Sequence, residues 1–209
     1  MSTPVDRRAF IREYLNGFQL CLASLDAAEV ERLLEILEQA YCEDRTVFVL
    51  GNGGSAATAA HMACDLTKNA IPDRPGLRVL ALPEQVPYLT ALANDTGYER
   101  VFAEMLRLWA RPGDVVIVIS GSGNSPNVLE AIRTARQIGA TVVGLLGFDG
   151  GQARTLVDHC VHVRADHYGY VEDTHMVLNH LITSYFQKRY GPAPSPGGRS
   201  GCSRLRLPP

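Results

Sequence analysis

The sequence predicts an α/β fold: a three-layer αβα sandwich with a parallel sheet covered by helices on both faces and preceded by N-terminal helices. Three observations carry this. Five short runs, TVFVL, GLRVLAL, DVVIVIS, TVVGLLG and CVHV, are rich in β-branched residues and continuously apolar, the pattern of strands buried on both faces. Most are separated by stretches of helical character, as crossovers between parallel strands require. The chain of 209 residues suffices for one full-sized domain with its own core, while two would be cramped.

The elements follow in order. Over residues 6–43 apolar positions recur at helical spacing (Phe10, Tyr14, Phe18, Leu22, then Val30, Leu33, Leu34, Leu37), and Asp26 is placed to cap a second helix. Two helices therefore precede the first strand. A final amphipathic helix is predicted over 172–188, and the Pro, Gly and Ser of GPAPSPGGRSGCSRLRLPP mark 191–209 as a disordered tail. The organisation expected is a helical segment at 1–45, a domain at 46–190 and that tail.

Composition excludes several classes. Lys and Arg (20) nearly balance Asp and Glu (22) and form no basic stripe, which argues against nucleic acid as a partner. No apolar run approaches the roughly 20 residues of a membrane-spanning helix, and MSTPVDRRAF has no signal-peptide core. The expectation is a cytoplasmic protein without membrane contact. The five cysteines are scattered without a CxxC pair, as reduced thiols rather than a disulfide framework or zinc ribbon.

In an open parallel sheet ligands bind beyond the C-terminal strand ends. The first strand ends in Gly51-Asn52-Gly53-Gly54-Ser55, followed at once by AATAAHMACDL. Glycines turn the backbone sharply and the helix start adds its positive dipole end, favourable for an anion; a tight turn without a ligand is the plainer alternative. Gly51-x-Gly53-x-x-Ala56 also satisfies the dinucleotide fingerprint, but the acid expected some 20 residues onward is lacking. The nearest is Glu84. A Walker lysine is absent as well, so no nucleotide cofactor is expected.

The third strand ends in Ser120-Gly121-Ser122-Gly123-Asn124-Ser125-Pro126-Asn127. Its three serine hydroxyls and glycine amides, with a helix start behind them, suit a phosphate monoester. A flexible connector is the alternative, against which Pro126 at the helix start argues. The expected phosphate and substrate contacts are Asn52, Gly53, Ser55, Ser120, Gly121, Ser122 and Ser125. Asn94 and Asp95 are placed to meet sugar hydroxyls.

GNGGSA after one strand and SGSGNS after another, with LANDTGYERVF, GDVVIVISGSGNSPNV, FDGG and the histidine-bearing last helix, resemble the sugar isomerase (SIS) domain family, and within it the phosphoheptose isomerases. The resemblance spans residues 6–189. It implies a five-stranded, flavodoxin-like parallel sheet, a homotetramer with active sites between subunits, and conversion of sedoheptulose 7-phosphate to a D-glycero-D-heptose 7-phosphate. A regulator sharing this architecture gives the alternative: a phosphosugar-sensing or protein-binding module without catalysis.

Aldose–ketose isomerisation needs a base, a proton donor and stabilisation of an enediolate. His61 and Asp65 are four residues apart on the helix after the glycine turn, so they share a face. Glu172, Asp173, His175 and His180 offer a second set, with Glu172 and His175 at three-residue spacing. Together these can hold a metal. The resemblance implies zinc on His61, Asp65, Glu172 and His180, with Asp65 or Glu172 as base and His180 as the proton relay. Asp65 and Glu172 stand where the family carries glutamate and glutamine, and Asn69 stands where the heptose enzymes carry arginine. His159, His162 and His167 are read as structural. The expectation is that these acids and imidazoles converge beside the serine turn.

Overall fold

The computed structural model describes residues 5–72 and 75–191, so the predicted tail, Gly191 apart, lies outside the described residues. Asp6 accepts from the amides of Arg8 and Ala9 to start α1 (Arg7–Ala23). Asp26 does the same for α2 (Ala27–Cys42) through Ala28, each supplying an acceptor to an otherwise orphaned amide. The chain then alternates. β1 (Thr46–Gly51) leads to α3 (Gly54–Cys64), β2 (Arg78–Ala81) to α4 (Val86–Thr96) and α5 (Val101–Trp109), and β3 (Val115–Ser120) to α6 (Pro126–Ile138). β4 (Thr141–Leu146), the four-residue α7 (Ala153–Leu156), β5 (His159–His162) and α8 (Tyr168–Tyr190) complete it.

The strands form one all-parallel sheet in the order β2-β1-β3-β4-β5. Continuous apolar strands are needed because both faces are covered. Val47 and Val49 of β1, with Ile117 and Ile119 of β3, pack with Leu33, Leu37, Met62, Leu178 and Ile182. Phe48 and Leu50, with Val116 and Val118, face the other way onto Phe102, Met105, Val128 and Ile132. The period of two in a strand thus splits one apolar run between two cores. The order reverses between β1 and β3, which register as Val47 to Val115 through Gly51 to Ile119. That reversal opens the crevice where such sheets bind ligands.

α8 begins at Tyr168 rather than 172, because the His167 ring accepts from the Tyr170 amide at 3.3 Å and caps the helix. Its buried face carries Val171, Leu178, Ile182 and Phe186, but also Thr174, His175 and Asn179. His175 is 1 % exposed and neither ring nitrogen makes a hydrogen bond. Burial pushes its pKa down to about 4, opposed by the nearby Leu146 carbonyl.

Because the unfolded chain binds this proton near the ordinary value of about 6.5, stability is full above that pH. It is lost as pH falls from there through the folded value of about 4. Urea unfolding at pH 7 and pH 5 should show the native protein losing about 2 kcal/mol more than His175→Leu over that interval. Equal losses would mean that the imidazole does not titrate as its burial dictates.

Candidate active site

Gly51 and the turn after β1 bring Asn52 to the crevice, and the turn after β3 brings Asn127. Their side-chain amides pair reciprocally, Asn52 Nδ2 donating to Asn127 Oδ1 at 2.9 Å and Asn127 Nδ2 to Asn52 Oδ1 at 2.8 Å. Tyr98 adds its hydroxyl to Asn52 Oδ1 at 3.0 Å. The predicted substrate contact Asn52 is thus engaged in a clasp between the two turns. Asn127 and Tyr98 were not singled out in the sequence, since nothing local marks partners so distant along the chain.

The serine turn closes on itself. Ser120, 5 % exposed, accepts from the Gly123 amide at 3.0 Å, and Ser122 Oγ accepts from the Asn124 amide at 3.3 Å. Ser125 begins α6 without a capping bond from its hydroxyl. The turn after β4, Phe148-Asp149-Gly150-Gly151, braces it from below. Ala153 N donates to the Gly123 carbonyl at 3.0 Å, and Gln152 N to Asn124 Oδ1 at 3.0 Å. Phe148 itself holds a left-handed φ of 49°, its carbonyl bonded to His162 Nε2 at 2.9 Å and its ring against Tyr168. Strain of this kind persists where surroundings fix it, commonly at functional turns. A cleft of about 380 Å³ lies here, lined by Ser122, Asn124, Phe148, Asp149, Asp166 and Tyr168.

At the glycine turn Ser55 is buried and Gly53 takes a left-handed φ of 55°. The Glu172 carboxylate lies where a side chain on Gly54 would stand. A carboxylate from the chain itself therefore faces the start of α3, where an anion is favoured. Asn94 and Asp95 are exposed on α4 and bonded to one another at 2.9 Å.

A second cleft, about 450 Å³, lies beside the end of α3. α3 gives way after Cys64 to a wide π-helical turn, Asp65–Asn69, of a type that is frequent at functional sites. His61 Nε2 is 3.2 Å and His180 Nε2 3.9 Å from Asp65 Oδ2, and the two imidazole nitrogens are 3.4 Å apart. All three ligand atoms lie within 4.8 Å of one another. Asn69 donates to Asp65 Oδ1 and Asn179 to Oδ2, each at 3.0 Å. Asn69, which stands where the heptose enzymes carry arginine, turns its side chain to this carboxylate.

Glu172, the fourth expected ligand, is not in this group: its carboxylate faces Gly54. Eight residues of α8 separate it from His180, about 12 Å along the axis. For the same reason the acids and imidazoles do not all converge beside the serine turn of their own chain. Tyr168 packs against Gly121, and its distance along α8 from His180 is about 18 Å.

A parallel sheet of this order, with a hydroxyl-lined turn at its reversal and a carboxylate–imidazole cluster on its helices, defines a doubly wound α/β domain with candidate sites at the strand ends. Residues 13–147 match the sequence model of the SIS domain, and the chain belongs to the SIS domain family. It is 45 % identical over 141 residues to the phosphoheptose isomerase of Mycobacterium tuberculosis strain H37Ra, covering 68 % of this chain and 72 % of that one. With the phosphoheptose isomerase of Trichlorobacter lovleyi it shares 37 % over 178 residues, 85 % of this chain and 90 % of that one. The structure of the phosphoheptose isomerase from Neisseria gonorrhoeae superposes with a TM-score of 0.79 at 30 % identity, covering 87 % of this chain and 96 % of that one.

The serine turn depends on Gly123, whose φ is 64° and whose missing side chain would collide with the Gly150 carbonyl. Gly123→Ala should abolish the rise in unfolding temperature that inorganic phosphate gives the native protein. Gly139→Ala, also left-handed but with only ordinary contacts in the way, should cost about 1 kcal/mol and keep that response. Thermal scans with and without phosphate decide it; a phosphate response retained by Gly123→Ala would remove the turn from the anion site.

Proposed function

We propose that this chain is an aldose–ketose isomerase that converts sedoheptulose 7-phosphate to a D-glycero-D-heptose 7-phosphate through a cis-enediol. The observation that carries the reading is the convergence of His61, Asp65 and His180 on one point, in a fold that also holds a braced, hydroxyl-lined anion turn. The relatives named phosphoheptose isomerase support the substrate class.

In the forward direction a carboxylate takes a proton from C1 of the ketose. The electron pair forms the C1–C2 double bond while the C2 carbonyl oxygen gains a proton. C1 then becomes the carbonyl as its hydroxyl proton leaves, and C2 is reprotonated. Asp65, its side chain 13 % exposed, is the base we assign, with His180 carrying protons to and from the oxygens. The serine turn holds the phosphate through Ser122 and Ser125.

Two imidazoles and one carboxylate suit zinc, and their mutual spacing fits one ion. Zinc held by His61, Asp65 and His180 would draw charge from the sugar oxygens as the enediolate forms.

The reaction centre and the phosphate of a seven-carbon substrate are about 9 Å apart when extended. That is well short of the length of α8 between the two clefts. The complete site we propose therefore joins the serine turn of one subunit to the His61–Asp65–His180 group of another, in a homotetramer. Phe10, Ile11, Leu15 and Leu20 of α1, each more than half exposed, supply apolar surface for such contacts. The free thiols of Cys21, Cys42, Cys64 and Cys160 agree with the reducing cytoplasm where we place the protein. Among the described residues no helix is long and apolar enough to cross a membrane.

NMR of sedoheptulose 7-phosphate in deuterated water should show aldoheptose formation with deuterium entering at C2. Absence of both turnover and exchange, with or without zinc, rejects the isomerase; phosphate-dependent stabilisation alone would then favour a non-catalytic sensor. Asp65→Asn should lower kcat by about 10²–10⁴-fold with the oligomer intact by light scattering. Chelation should depress turnover reversibly, with zinc restoring it, and full activity in chelator would confine the reaction to the side chains.

A further inference from the structure

We propose that Asn179, assisted by Asn69, is the positioning residue for the Asp65 carboxylate, its amide fixing the plane of that group so that Oδ2 faces the His61 and His180 imidazoles. The inference rests on the reading of Asp65 as base or ligand given above.

A carboxylate on a short side chain turns about its Cβ–Cγ bond unless each oxygen is held. Asp65 has a donor on each: Asn69 Nδ2 on Oδ1 and Asn179 Nδ2 on Oδ2, both at 3.0 Å. The first contact is local, since Asn69 follows Asp65 by four residues and lies within its reach on the same helical turn. That turn closes through the Ala70 amide on the Asp65 carbonyl at 2.8 Å and is tied to α8 by Gln187 Nε2 on the Asn69 carbonyl at 2.9 Å.

The second contact is the informative one. Asn179 is 0 % exposed, between the equally buried Leu178 and Ile182 on the core-facing side of α8. Its Oδ1 has no hydrogen-bond partner, and apart from a long contact to the Met176 sulfur at 3.9 Å its Nδ2 is directed to Asp65. Leaving a buried acceptor unmatched costs stability that leucine at this position would not. The reverse amide orientation would set Oδ1 against a carboxylate oxygen, so Asp65 dictates which way the amide points. α8 thus presents two consecutive side chains, a buried donor and the His180 imidazole, to one carboxylate oxygen.

Asn179→Leu removes the donor and the unmatched acceptor together, and Asn69→Ala removes an exposed donor without touching the core. Three quantities are read on each: unfolding temperature, zinc affinity of the apoprotein by chelator competition, and kcat and KM on sedoheptulose 7-phosphate. For Asn179→Leu the expected result is an unfolding temperature equal to or above that of the native protein. Zinc affinity and kcat should fall by about 10–100-fold, with KM shifted far less. Asn69→Ala should move in the same direction by a smaller factor.

Zinc affinity and kcat within about twofold of native in Asn179→Leu would overturn the proposal. So would losses that track a fall in unfolding temperature, which is what a purely structural residue gives. An effect of Asn179→Leu without one of Asn69→Ala removes Asn69 from the clamp and keeps Asn179. A native protein that neither binds zinc nor turns the sugar over defeats the functional reading and this inference together, whereas an active native protein with an indistinguishable Asn179→Leu defeats the inference alone.

Discussion

The reciprocal amide pair of Asn52 and Asn127 spans the reversal between β1 and β3, and the shape of everything that can bind there depends on it. The turns after these strands leave toward helices on opposite faces of the sheet, because α3 and α6 contribute to the two different cores. Turns diverging in this way would leave the crevice width free to vary. Two short hydrogen bonds set that width, and Tyr98 adds a third to the same oxygen. The serine turn is in turn held from below by backbone bonds to the segment after β4. The turn is thus held in one shape by its own bonds, and a ligand that fits it would need little further ordering on binding.

α8 distributes the chemistry along one rigid element. From its start onward Tyr168 covers Gly121, Glu172 faces Gly54, His175 is sealed in the core, and Asn179 and His180 meet Asp65. Each assignment follows from rise and rotation, 1.5 Å and 100° per residue. Adjacent residues therefore serve different environments, as with buried Asn179 and exposed His180. The Glu172 carboxylate accordingly faces Gly54 while His180 meets Asp65, so the two side chains serve different neighbours.

The sheet was legible because burial on both faces leaves an unmistakable trace, the unbroken apolar runs of β1, β3 and β4, and the cap Asp26 is a local signal at the start of its helix. The cleft at His61 was legible in part: a spacing of four placed His61 and Asp65 together even though the helix widens into a π-helical turn at Asp65, an event with no sequence signature. Long-range pairings were not. Asn127 lies 75 residues from Asn52 and Asn179 lies 114 from Asp65, and no local pattern joins them. Asn179 did leave one trace, a polar residue on the apolar stripe that includes Leu178 and Ile182, which in a buried helix asks for a partner.

The separation of the two clefts along α8 bears on why α1 is built as it is. A helix that kept its apolar residues for its own core would bury them, yet Phe10, Ile11, Leu15 and Leu20 remain exposed while α2 supplies Leu33 and Leu37 to the sheet. α1 contributes chiefly contacts to α8, with Tyr14 reaching Asp173 at 3.2 Å and packing on the Tyr170 ring. It therefore fixes the start of α8, the segment over the serine turn, and offers an apolar face outward. If a second subunit covers that face, the energy of association also orders the end of α8 nearest the phosphate. Assembly and the geometry of the anion turn would then be coupled through a single helix.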